Sequence, residues 1–144
     1  MLGGRSACEH ALSRTEELFG RVEPCDVAIE LFSSSVFSRV AGSCYLSLGD
    51  TKRAAPILAE AAMALQDRSK AQAIVLGNLS LAYLRQGQLD EAAAHLNEAM
   101  DIIEVTWGGG GLNVASRACR ELAPWGQVPA VRQVQDRLLS LIAA

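Results

Sequence analysis

Leu79-Ser80-Leu81-Ala82-Tyr83-Leu84-Arg85-Gln86-Gly87-Gln88, followed by Ala92, Ala93, Leu96, Glu98 and Ala99, decides the fold, because the chain has already written this pattern once. Ala41-Gly42-Ser43-Cys44-Tyr45-Leu46-Ser47-Leu48-Gly49-Asp50, followed by Ala54, Ala55, Leu58, Glu60 and Ala61, carries the same order, and every match falls 38 positions away. Each recurring residue has a physical task. A small residue three before the tyrosine, Gly42 or Ser80, lets two helices approach closely. The tyrosine fills the space between them and keeps its hydroxyl near the edge. Glycine ends the first helix, because it tolerates the left-handed conformation there. The alanine five positions later, Ala54 or Ala92, sits where the helices cross at the usual separation of about 8–10 Å.

Outward from this core, apolar residues recur at intervals of three and four. Leu89, Ala92, Ala93, Leu96, Ala99, Met100 and Ile103 form one stripe, with Asp90, Glu91, Asn97, Glu98 and Asp101 opposite, which is a surface helix with one buried face. Val131, Val134, Leu138, Leu141 and Ile142 form another, and Pro129 suits its first turn. Ser69-Lys70-Ala71-Gln72 reads as a capping box. The spacing predicts helices over 4–19, 26–33, 35–48, 52–66, 70–86, 89–106, 112–123 and 129–142, and no strand. Links of two or three residues make 35–48 pair with 52–66, and 70–86 with 89–106, as antiparallel hairpins. The run Gly108-Gly109-Gly110-Gly111 reads as a flexible joint.

This order of residues resembles the tetratricopeptide repeat. The family unit is about 34 residues, so the longer period here implies extra residues, most simply around Gln66 to Ser69. The family's usual proline at the end of the second helix is missing from both copies, and Pro56 lies early in a second helix instead, where it either falls in the first turn or adds a mild bend. The resemblance implies an all-α fold of stacked antiparallel helical hairpins, a short α-solenoid. Residues 1–144 are expected to form one domain, with core repeats over 36–104 and degenerate capping pairs at 4–33 and 112–142. A second stretch, Arg120-Glu121-Leu122-Ala123-Pro124-Trp125 with Pro129-Ala130-Val131-Arg132, looks like the C-terminal half of actinobacterial helix-turn-helix regulators. That likeness implies the interaction or dimerisation part of a bacterial transcriptional regulatory system.

In a stack of such hairpins the first helix of each pair lines the concave face. Residues off the tyrosine stripe should point into it: Arg39 and Ser43 in one copy, Asn78, Leu81 and Arg85 in the next, and Arg117 from the third pair. An arginine beside amide and hydroxyl groups suits a carboxylate, held by paired hydrogen bonds. The set is similar to the carboxylate clamp of chaperone-binding members of the family at Arg39, Ser43, Asn78 and Arg117. It departs from that clamp where Arg39 replaces lysine, Ser43 replaces asparagine, and Asn113 stands where another lysine belongs.

Composition narrows the remaining classes. The 144 residues carry 13 basic and 16 acidic side chains, a net charge of −3, which argues against direct nucleic-acid binding. The start has no apolar segment before a cleavage site, and no stretch reads as a membrane span, so the expected location is cytoplasmic. The four cysteines, Cys8, Cys25, Cys44 and Cys119, form no CxxC pair, and Cys8-x-His10 lacks a second ligand pair, so no metal or other cofactor is expected. The glycine run lacks the Gly-Lys-Ser/Thr of a phosphate loop. His95 reads as a solvated histidine on the acidic face, Trp107 and Trp125 as packing anchors or, as an exposed pair, the mark of an interface, and no catalytic set appears. The expected function is a non-catalytic, regulatory module that binds a protein or peptide, a second copy of the chain among the candidates. The alternative is a sensor for a small molecule or short signalling peptide.

Overall fold

A computed structural model describes residues 38–65, 69–107 and 110–143. The helices expected at 4–19 and 26–33, the leading pair they form, and Cys8, His10 and Cys25 lie outside these residues. Helical residues 38–47 form α1. They are followed by α2 (Thr51–Ala64), α3 (Lys70–Arg85), α4 (Leu89–Thr106), α5 (Gly110–Glu121), a short 3-10 turn (Ala123–Trp125) and α6 (Pro129–Ala143). There is no strand among the described residues, and the architecture is an all-α stack of helical hairpins.

The two copies make the same turn. Gly49 and Gly87 have φ of +80° and +79°, a left-handed backbone that a side chain would strain. Around each, the same hydrogen bonds close. The Asp50 and Gln88 N–H groups donate to the carbonyls of Tyr45 (2.9 Å) and Tyr83 (3.0 Å). Those of Gly49 and Gly87 donate to Leu46 and Leu84, both at 3.1 Å. Together they satisfy the last carbonyls of the first helix, as a Schellman stop requires. Asp50 also caps α2 by accepting from the Arg53 N–H at 3.3 Å. Gln88 makes no such bond, and Asp90 and Glu91 in the first turn of α4 face the positive end of the helix dipole instead.

The cores of the hairpins correspond as well. Ala54, Leu58, Ala92, Leu96 and Ala99 have no exposed surface. Gly42 lies against Leu58 so closely that an added Cβ would sit 2.5 Å from its Cδ2. In the second copy Ser80 is fully buried, and its hydroxyl donates to the Ala92 carbonyl at 2.7 Å. Tyr45 and Tyr83 are both half-buried against the core. Their partners differ: the Arg53 guanidinium lies 5.6 Å from the Tyr45 ring centroid, whereas the His95 ring stacks on Tyr83 at 5.3 Å.

The hairpins stack in order. α3 packs on α2, α4 and α5, and α6 packs on α4. The third pair thus sets its first helix against the first helix of the second pair, and its second against the second. Arg137 fastens α6 to α4, donating to the Asn97 carbonyl (3.1 Å), to Glu104 (3.1 Å) and to Asp101.

Four local expectations change. Ser69 caps α3 by accepting from the Gln72 N–H at 3.2 Å, but the Gln72 amide turns away from the box and donates to the Ala62 carbonyl at 3.1 Å, tying the second hairpin to the first. Gly110 and Gly111 are helical rather than a joint, and Gly111 is buried with Ala73 Cβ only 3.0 Å from where its own Cβ would be. Close helix approach, not flexibility, is what these two glycines supply. Pro56 lies in the second turn of α2, inside the helix, and removes the N–H that the Lys52 carbonyl would accept from. Trp107 and Trp125 are 53% and 39% exposed, so neither is a buried anchor. Trp107 ends α4 at φ +38°, and Trp125 sits in the 3-10 turn, where neither follows a buried helical stripe.

A candidate partner groove between the first helices

α1 and α3 are the first helices of successive pairs, and they lie side by side because each must bury its tyrosine-bearing face against its own second helix. Their remaining faces enclose a groove of about 300 Å³. Arg39, Val40, Ser43 and Cys44 line it from α1. Ala71, Ile74, Val75 and Asn78 line it from α3, spaced by three and four residues along one face. Among these residues Arg39 is the only ionised one. Its Nε is buried without a hydrogen-bond partner. An orphaned guanidinium donor beside a hydroxyl and an amide, over an apolar floor, is suited to an acceptor on a partner.

The structure therefore brings Arg39, Ser43 and Asn78 together. Leu81 is elsewhere: it is fully buried in the core. Gly77, one turn before it on the same helical row, approaches α5 so closely that an added Cβ would meet Val114 Cγ1 at 2.5 Å. The third pair thus covers this end of α3. Arg85 and Arg117 are also set apart, and both converge on Glu121. Arg85 donates from Nε (3.0 Å) and Nη2 (3.1 Å) to the two carboxylate oxygens, and Arg117 Nε lies 3.5 Å from Oε2. Arg85 Nη1 further reaches the Leu46 carbonyl at 3.4 Å. One side chain thereby links the end of α1 to α5, across all three pairs.

Sequence reasoning missed Val40, Cys44, Ala71, Ile74 and Val75 as groove residues, because an apolar side chain at helical spacing reads equally well as core. The signal that could have found the first of them is the step from Arg39 and Ser43 to their neighbours on the same face of α1. His95 is another correction. Its ring stacks on Tyr83 with an interplanar angle of 9°, and its Nδ1 is buried rather than solvated. It occupies the position that Ile57 holds in the first copy, so it inherits a packing site.

Among the described residues no three or more His, Cys, Asp or Glu side chains cluster as metal ligands would, and no helix is long and apolar enough to cross a membrane. No curated protein and no solved structure matches the chain. Residues 73–108, which take in nearly all of α3 and the whole of α4, match the family model of the tetratricopeptide repeat.

Proposed function

From a chain that carries a tetratricopeptide repeat at residues 73–108, a unit that generally mediates protein–protein interaction and is generally not enzymatic, we propose a protein- or peptide-binding module whose partner lies between α1 and α3. The observation that carries this reading is Arg39, the one charged side chain of the groove, with a buried Nε lacking a partner. Ser43 and Asn78 add a donor each, while Val40, Ala71 and Ile74 offer apolar contact. Such a surface favours an extended segment carrying a carboxylate and a neighbouring apolar side chain. The likeness of 120–132 to regulators of transcription extends the same reading to a regulatory setting, in which the partner seated here sets the output.

Panning a random peptide library against the full chain tests the groove. The selected peptides are expected to carry an acidic residue or a free C-terminus. Arg39→Glu should weaken them about tenfold or more, which is the loss of one charge-assisted hydrogen bond. Peptides that bind Arg39→Glu as tightly as the parent, with helicity unchanged by circular dichroism, would overturn the proposal.

A further inference from the structure

A second cavity, of about 390 Å³, opens on another face of α3, between α2 and α4. Its size is within the range of small-molecule sites, roughly 300–1,000 Å³. Its walls are apolar: Ala59, Ala62 and Met63 from α2, and Leu76 and Leu79 from α3. Its polar groups are Gln72, His95 and Glu98, and Glu98 is the only carboxylate among them.

The Gln72 Nε2 donates one of its two N–H groups to the Ala62 carbonyl, so the amide keeps both an N–H donor and an acceptor oxygen. Glu98 accepts only. The His95 Nδ1 has no hydrogen-bond partner and lies 3.8 Å from Glu98 Oε1, too far for a direct bond. A carboxylate or phosphate ligand would face Glu98 with like charge. A neutral alcohol would donate once, whereas an ammonium donates up to three times.

We propose that this cavity is a binding site for a small hydrophobic amine, its hydrocarbon body against Met63, Leu76 and Leu79 and its ammonium group on Glu98 beside His95. The site is independent of the groove between α1 and α3, and shares none of its lining residues. Stacking on Tyr83 holds the imidazole in place, so the ligand would be read by a preset ring.

Titration of the full chain at pH 8 with n-hexylammonium, 1-hexanol and hexanoate tests this, followed by calorimetry and by the His95 ring resonances in NMR. The ammonium is expected to saturate and to shift those resonances. Hexanol should bind about tenfold more weakly, and hexanoate not at all. Glu98→Gln, at an exposed position, should bring the ammonium down to the affinity of hexanol. Ala59→Phe should fill the cavity and remove binding of both. Absence of saturable ammonium binding, equal affinity for hexanol, or unchanged affinity in Glu98→Gln would each overturn the proposal.

Discussion

Gly42 and Leu58 are in such close contact that a single methyl group at position 42 would overlap the leucine: the added Cβ would lie 2.5 Å from Cδ2 and 2.7 Å from Cγ. Leu58 is fully buried, so it has no free space to retreat into. Overpacking of this kind costs about 1–3 kcal/mol, and the better helix propensity of alanine returns up to about 1 kcal/mol. Gly42→Ala is therefore expected to lower stability by about 1–2 kcal/mol, read from urea unfolding. A stabilised variant would show that the two helices are not packed this closely.

The Tyr83 ring lies between the hairpin core and the stacked His95. Being half-buried, it should give the lower part of the range for aromatic truncation, so Tyr83→Ala is expected to cost about 3 kcal/mol. Tyr83→Leu keeps most of the packing and should lose less. The measurement is again equilibrium unfolding, and a change within experimental error would place the ring outside the interior.

Arg85 and Glu121 form a two-pronged ion pair between helices of different pairs, with both side chains partly open to solvent. A double-mutant cycle with Arg85→Met and Glu121→Gln should give a coupling of about 1 kcal/mol or less. Screening should reduce it in 1 M salt. The third pair is held mainly by apolar contact, so neither single variant should detach it; limited proteolysis checks this.

Burial pushes the Cys119 thiol from its ordinary pKa of 9.0 up to about 11. The folded chain keeps its proton where the unfolded chain has lost it. Stability from this group is thus fully present below about pH 9 and falls as pH rises towards 11, by about 2–3 kcal/mol at the end of that window. Cys119→Ala should unfold less steeply with pH than the parent between pH 8.5 and 11, by about this amount. Native Cys119 should also resist alkylation at pH 8 and react once the chain is unfolded in urea.

The hairpins were legible because helix stops and small-residue contacts are local signals. Gly49 and Gly87 mark the turns, Ala54 and Ala92 the crossings, and α4 falls on Leu89–Thr106, where the stripe from Leu89 to Ile103 put it. What failed was whatever depends on a neighbour distant in sequence. The glycine run reads as a joint until Ala73 and Ile103 are seen against Gly111. The groove was half legible: Arg39 and Ser43 share a face of α1 by spacing alone, and Asn78 faces them from α3. Leu81 does not join them because α5 covers that end of α3, and nothing in the local pattern states where a third pair will rest. Arg85 and Arg117 look like free cations until Glu121 is placed between them.

The most direct measurement is NMR mapping of a library-selected peptide on the isotope-labelled chain. The amide resonances of Arg39, Ser43, Ile74 and Asn78 are expected to move together on titration, along one binding curve. Saturable binding that leaves those resonances in place, and moves others instead, would contradict the assignment of the α1–α3 groove as the partner site.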